Sequence, residues 1–542
     1  VAGLPAPAAV AFRGATVIDG TGADRFVADV VVGDGRIESV GSSAGGSSTP
    51  RVIDARGLVL APGFIDMHAH SDLAVLTEPA HFAKISQGVT TELVGQDGLG
   101  YVPADARTIA QVRRQIAGWN GAAPELDLDW GTVAAYLARL DRGVATNVAC
   151  LVPQGNLRLM VVGPDDRRAT ATEIDRMRAL LDRGLREGAL GLSTGLSYTP
   201  ATYADTDELV ALCETVAEHG GFFAPHTRSY GLEALESYAE AIEIAERAGC
   251  ALHLTHATMN FAVNRGRAAE FLRLVDDALD RGSDITLDSY PYTSGATTLA
   301  ALLPAWSSSG GVDATLARLH DPAHRRAIGL AVNVTGSDGC HGLTVEWGTI
   351  EVAGVANPEL DHVVGHTVAT LAERSGRAPV EVFFDLLRRD SLATTIRQHV
   401  GDETNLRLIM RHRAHTGGSD GILVGGMPHP RGWGTFPRYL GHYCRELGLF
   451  GLEECIHHLT GRPAARLRLS DRGLIRPGYA ADLVLFDPVT VRDVATYDDP
   501  KRASEGIRSV LVNGTFAIDD GQPTGALAGG ALRLRGESGS VS

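Results

Sequence analysis

Alternating apolar and polar positions dominate the first sixty or so residues. The segments "VAFRGATVID", "ADVVVGDGRIESVG" and "RVIDARGLVLA" are short, rich in β-branched residues and separated by Gly and Asp turns, which predicts strands. From about residue 64 to 460 the period changes. Apolar runs recur in "GVTTELVG", "TNVACLVP", "GALGLSTG", "GGFFAPHTR", "CALHLTHAT", "DITLDSYPY" and "AHTGGSDG". Between them lie stretches such as "LEALESYAEAIEIAERAG" and "RAAEFLRLVDDALDRG", whose apolar positions fall three and four apart and predict amphipathic helices. With the run that ends at His68 there are eight strands, most followed by a helix, so the expected fold is α/β, a (β/α)8 TIM barrel.

Two irregularities refine that expectation. The interval between the seventh and eighth strands is too long for a helix alone. It contains "SSSGGVD" and "AVNVTGSDGCHGLTVEWGTIEVAGV", which read as loop and extra β-structure and predict an insertion at about 299–365. Past about 464 the β pattern returns in "GYAADLVLFDP", "GIRSVLVNGTFAIDDGQ" and "GALRLRG". The expected organisation is therefore a small β-sandwich built from both ends, 1–61 and 464–542, around a barrel over 62–463.

Composition narrows the function. The chain has 542 residues, 44% of them hydrophobic, enough for a large core. A net charge of −16 argues against nucleic acid or an anionic membrane surface as partner, since either needs a basic face. No apolar run reaches the roughly 18 residues of a membrane helix. The opening "VAGLPAPAAVAF" lacks a basic start and an unbroken apolar stretch, so it does not read as a signal peptide. Six cysteines (150, 213, 250, 340, 444 and 455) form no CxxC pair, which suits buried thiols in a reducing cytoplasm. Only two lysines, Lys84 and Lys501, occur in the chain.

The candidate chemistry sits at strand ends. In "GFIDMHAHSD", His68 and His70 are two apart and share one face of the first strand. At the C-terminal end of a barrel strand that face points into the mouth, where paired imidazoles suit a divalent metal. Taken alone, an HxH pair is as easily two buried, hydrogen-bonded histidines. However, His226 ends "FFAPH", His256 ends "ALHLTH" and Asp420 ends "HTGGSD", each at the same end of its own strand. Such an alignment is not expected from chance. His253 lies three residues before His256, so it has the opposite parity, sits deeper and reads as packing.

The pattern of HxH, His, His and Asp on strands one, five, six and eight resembles the amidohydrolase superfamily of metal-dependent hydrolases. The segments "GLSTGLSYTP", "DSYPY", "GSDG", "PHPRGWGTFPRYLGHY" and "LTGRPAARLRLSDRGLIRPGYAADLVLFDP" extend the likeness to its D-aminoacylase (N-acyl-D-amino-acid deacylase) branch, over nearly the whole chain. The resemblance implies one or two Zn2+ ions held by His68, His70, Asp97, His226 and His256, with Asp420 as catalytic base. Many superfamily members bridge two metals with a carboxylated lysine on strand four, but here "GALGLSTG" contains no lysine. The branch places a cysteine after strand two, and Asp97 of "GQDG" stands in its position. A carboxylate also ligates zinc, and its second oxygen is able to bridge a second ion.

Two departures bear on the substrate. Thr258 stands where the family often has a lysine, and Gln154 stands where it often has a histidine. Arg431, in "PHPR", matches the family's carboxylate clamp, with Tyr290 as a second carboxylate contact. The implied reaction is hydrolysis of the amide of an N-acyl D-amino acid, a small-molecule substrate, by water activated at the metal, with Asp420 moving the proton. A homo-oligomer is compatible with this reading. The competing readings are a cyclic-amide hydrolase of hydantoinase or dihydroorotase type and a barrel that has lost its metal site.

Overall fold

The computed structural model describes residues 9–41, 51–121 and 123–534. Eight parallel strands follow one another around a ring. Phe64–Asp66, Val89–Val94 and Asn147–Cys150 pair in that order. Val152–Pro153 continues the third strand and pairs with Gly191–Gly195, followed by Phe222–His226, Ala251–Leu254, Ile285–Ser289 and His415–Gly417. The ring closes between the eighth strand and the first, through a parallel bridge of Ala69 with Gly421 and a bond from the Met67 amide to the Gly417 carbonyl.

The helices between the strands carry the terminal signals that their sequences promise. Ala171–Arg186 opens on a Thr170–Glu173 capping box, Asp205 caps Thr206–Glu218, and Gly249 ends Ala234–Ala248 in a left-handed conformation. Their apolar faces cover the outside of the strands, so both faces of each strand are buried. This is why Gly191–Gly195 and Phe222–His226 are buried throughout and read as unbroken runs rather than as alternation.

Strands from both ends of the chain pair into one nine-stranded sheet. The junction is antiparallel, Leu483 opposite Pro62 and Phe486 opposite Val59. Alternation divides its faces: Leu60, Leu483 and Leu485 join Phe12 and Val30 in one core, while Val59, Val484 and Phe486 pack towards the barrel with Phe64 and Phe436. Residues 1–8 of the opening segment and residues 535–542 of the expected C-terminal β-part lie outside the described residues.

The extra structure after the seventh strand is wider than the expected 299–365. Gly295–Thr298, Thr395–Gln398 and Ile350–Gly354 form an antiparallel sheet. Helices Val368–Ser375 and Pro379–Arg389 pack with it around Leu299, Val352, Phe383 and Ile396. Those two helices have the same amphipathic period as a barrel helix, so periodicity alone assigns them to the wrong core. Among the described residues no helix is long and apolar enough to cross a membrane, and all six cysteines are free thiols.

Candidate metal centre and catalytic site

Strand ends bring six of the expected residues into one cluster. His68 and His70 follow the first strand, His226 closes the fifth, and His256 and Asp420 lie just past the sixth and eighth. Asp97 reaches in from the loop after the second strand. Three of these residues have left-handed backbones, Asp97 at φ 56°, His256 at φ 31° and Asp420 at φ 47°. Aspartate tolerates that region, but a histidine there is strained, and such strain persists only where surrounding contacts over-determine it.

Asp97 is held by close backbone packing. A side chain on Gly195, at the end of the fourth strand, would place its Cβ 2.2 Å from the Asp97 carbonyl oxygen. Gly98, at φ 70°, would meet the Gly195 amide nitrogen in the same way. The Asp97 loop thus lies directly against the end of strand four.

The candidate ligand atoms fall into two overlapping groups. His68, His70, Asp97 and Asp420 offer one set and Asp97, His226 and His256 another, with the atoms of each set within 4.8 Å of one another. Asp97 belongs to both. Its Oδ1 lies 3.6 Å from His68 Nε2 and 3.3 Å from His256 Nε2, while Oδ2 lies 3.5 Å from both His70 Nε2 and His226 Nδ1. The His226 Nδ1 and His256 Nε2 atoms are 3.0 Å apart. Their other nitrogens are engaged, His226 Nε2 by the Ser197 hydroxyl and His256 Nδ1 by the Tyr230 hydroxyl, which fixes each ring's orientation. Both ring nitrogens of fully buried His68 lack a hydrogen-bond partner.

A cation satisfies all of this. Burial works against charge on His70, yet the Asp420 and Asp97 carboxylates raise its pKa to about 10. The pocket is therefore an anionic, imidazole-rich hole, and nitrogen and oxygen donors of this kind fit zinc.

Asp420 stands between the histidine cluster and Arg431. Its Oδ1 is 3.1 Å from His70 Nε2 and its Oδ2 is 2.9 Å from Arg431 Nη2. Burial raises the pKa of its carboxyl, but Arg431, His68 and His70 outweigh that and bring it down to about 2. Arg431, the first residue of helix Arg431–Arg438, is fully buried with its guanidinium 4.4 Å above the Tyr290 ring. Its Nη2 also donates to the Ala296 carbonyl (3.3 Å), whereas Nε and Nη1 have no partner. Burial pushes the Tyr290 phenol up, so it remains protonated and a donor.

A cavity of about 70 Å³ opens over this cluster, lined by Asp97, His226, His256, Thr258, Tyr290 and Asp420 among others. Gln154 does not reach it. Its amide is locked between Glu208 (2.9 Å) and the Thr194 hydroxyl (3.0 Å). His253 lies inside the barrel, bonded to Thr286 (2.8 Å) and Asp288 (2.9 Å).

Several neighbours escaped the sequence reading. Trp119 lies 5.0 Å from the His70 ring and 5.0 Å from Tyr198, which is 4.7 Å from His226. His341, from the insertion, lines the same cavity. Asp288 bonds His253 Nε2 and the His256 amide (3.0 Å) and approaches His68 Nδ1 at 3.8 Å. A signal for Asp288 existed: it is two residues before Tyr290 in "DSYPY", the same parity that marks HxH. Trp119, in the one-turn helix Ala117–Asn120, and His341, in a loop of the insertion, had none, because neither segment is long enough to show a period.

A parallel barrel whose strand ends gather four imidazoles and two carboxylates defines a metal-dependent hydrolase of the amidohydrolase type. The chain belongs to the Amidohydrolase family, whose model matches residues 51–518. It is 34% identical to a D-aminoacylase of Alcaligenes xylosoxydans xylosoxydans, over 96% of each chain. It is 35% identical to an N-acyl-D-aspartate deacylase of the same organism, over 98% of this chain and 96% of that one. Among solved structures it resembles the N-acyl-D-glutamate deacylase of Bordetella bronchiseptica, complexed with zinc and a phosphonate mimic of the tetrahedral intermediate. That likeness has a TM-score of 0.81 and 32% identity, covering 97% of this chain and 99% of the other.

Proposed function

We propose that this protein is a zinc-dependent deacylase that hydrolyses the amide bond of N-acyl D-amino acids. The observation that carries the reading is the sharing of Asp97 between two donor sets, beside an ionised Asp420 and a guanidinium with two unpartnered N–H groups. The relatives' activities and configuration support the choice of bond and of hand. The six free cysteines fit a cytoplasmic setting.

His68, His70, Asp97, His226 and His256 would hold the zinc. When bound there, zinc supplies Lewis acidity to the scissile carbonyl and lowers the pKa of a water molecule towards about 7. Asp420 begins ionised and accepts a proton from the attacking water as the C–O bond forms. It then delivers that proton to the amide nitrogen as the C–N bond breaks, so the carboxylate is restored. Tyr290 donates to the substrate α-carboxylate from the cavity wall. Arg431 lies behind the cavity wall, against Asp420 and Tyr290, and its Nη1 is a buried donor without a partner that a carboxylate entering beside Tyr290 would meet. Because the same guanidinium also holds Asp420, it sets the distance between substrate and base.

Arg431→Met tests the carboxylate contact. Losing a charge-assisted pair in a closed site costs about 2–5 kcal/mol, so kcat/KM for N-acyl amino acids should fall tens to thousands of fold. Paired analogues, one with the α-carboxylate and one with an amide in its place, are the measurement. Parent and variant should differ in their preference for the acid. An unchanged acid-to-amide ratio would mean that Arg431 serves only to hold Asp420.

The cavity wall also predicts the side chain. Arg431 stands behind the wall at Asp420 and Tyr290; among the described residues that line the cavity itself there is no lysine or arginine, and Thr258, Asn260, Phe261, Thr297 and Gln398 are all neutral. A second substrate carboxylate would be desolvated without a partner. N-acetyl-D-leucine should therefore outperform N-acetyl-D-aspartate and N-acetyl-D-glutamate by at least about tenfold in kcat/KM. Screening D and L pairs of each checks hand and side chain together. Turnover of none of them would remove the deacylase assignment.

A further inference from the structure

Lys84 has no place in the mechanism, yet its side chain is completely buried under the first strand. Its ammonium donates to Asp66 Oδ2 (2.5 Å) and to Ser419 Oγ (2.9 Å), with Glu92 Oε2 at 4.0 Å. An apolar residue of the same volume would avoid the desolvation that a buried ammonium entails, so stability alone is a weak reason for a lysine here.

The network around it has a definite geometry. Asp66 Oδ1 accepts the backbone amides of His68 (3.2 Å) and Ser419 (2.8 Å). Asp66 Oδ2 accepts Lys84 and the Ser419 hydroxyl (2.6 Å). The Ser419 oxygen in turn accepts Lys84 and the Gly421 amide (3.0 Å). Both partners of Lys84 lie close in sequence to a site residue: Asp66 is two before His68, and Ser419 precedes Asp420.

Regular strand structure stops too early to do this work. The first strand ends at Asp66 and the eighth at Gly417, before His68, His70 and Asp420. Beyond them the two segments meet through only sparse backbone contacts, Asp420 N to His68 O (2.8 Å) and His70 N to Gly421 O (3.3 Å). Asp420 also carries a left-handed backbone. Aspartate adopts that conformation readily but is not confined to it, and the ion pair spanning both segments is placed to hold it there.

We infer that Lys84 is a positioning residue, a buried strut that fixes the spacing between the His68–His70 pair and Asp420 and so aligns the base with the metal ligands. The inference rests on the roles proposed for those three residues. It touches neither substrate nor metal.

Two variants separate positioning from folding. Lys84→Met with Asp66→Asn removes the buried ion pair together and leaves no unpaired charge, while the asparagine oxygen still accepts both amides. Ser419→Ala is smaller: it keeps the ion pair and the Ser419 amide bond to Asp66 but removes the hydroxyl that ties Lys84 and Asp66 to the Gly421 amide. Both should melt close to the parent. Misplacing a catalytic group by a fraction of an ångström to 1 Å is expected to lower kcat by about 10- to 100-fold, with KM for an N-acetyl amino acid changed by less than about threefold. Cobalt(II) loaded in place of zinc supplies a readout independent of turnover. Its visible absorption band should shift in both variants, because the disposition of His68 and His70 changes. Parent kcat and an unshifted band in both variants would reduce Lys84 to a folding residue. If the parent hydrolyses no N-acyl amino acid, the proposed activity fails, but the cobalt band still decides the role of Lys84.

Discussion

Asp420→Asn should bind zinc, fold, and turn over roughly a thousandfold or more slowly. The substitution keeps the shape of the side chain but removes its capacity to accept a proton, and general-base catalysis of this kind is worth about 10²–10⁴. Two features of the structure complicate the test. Asp420 is close enough to His68 and His70 to serve as a ligand, so zinc content must be measured beside kcat. It is also the partner of fully buried Arg431, so its neutralisation strands a guanidinium and should lower Tm. Asp420→Asn combined with Arg431→Met removes that strain. The double variant should regain stability without regaining turnover. If zinc is lost with Asp420, the residue is a ligand first. If kcat stays near the parent's, another group moves the proton.

What the sequence revealed about this site depended on strand parity. His68, His70, His226, His256 and Asp420 sit at or just beyond strand ends, where a period of two fixes the direction of each side chain. Asp97 was legible only by its position in "GQDG", since a turn aspartate before glycine is ordinary. The structure adds the reason for its placement: Gly195 leaves space for the Asp97 backbone against strand four. Arg431 was legible as a residue but not as a geometry. Its contact with Asp420 joins two helix and loop segments that no local pattern relates.

The fold divides the same way. Barrel strands and both sets of terminal β-segments were visible because each has its own period. The pairing of Leu483–Phe486 with Val59–Pro62 is a contact over 400 residues in separation, and only the β texture at both ends hinted at it. Helices Val368–Ser375 and Pro379–Arg389 mislead because an amphipathic period records that a face is buried, not what buries it. Lys84 is the sharpest case. A lone lysine between "HFA" and "ISQG" looks like a solvated residue, and its burial follows from Asp66 and Ser419, far apart in sequence.

Asp97 carries the second large effect, because it is the oxygen donor common to both candidate ligand sets. Removing it should weaken both metal positions at once, unlike loss of His70 or His226, which each serve one. The choice of substitution matters here. The Asp97 backbone is at φ 56°, a conformation that aspartate and asparagine adopt with little strain and alanine does not. Asp97→Ala would therefore mix a backbone penalty with the loss of a ligand. Asp97→Asn keeps the conformation and shape and removes the charge. It should hold less than about one equivalent of zinc after dialysis and lose at least about a thousandfold in kcat/KM, since the four histidines then lack the anion that gathers the cation. Asp97→Cys should behave oppositely to asparagine in metal content, retaining one zinc through its thiolate, and its cost in strain should appear in Tm rather than in stoichiometry. Metal analysis with thermal melts on the same samples separates the two effects. Full zinc occupancy and parent activity in Asp97→Asn would place the shared ligand elsewhere. The four imidazoles and Asp420 would then have to account for the metal site by themselves.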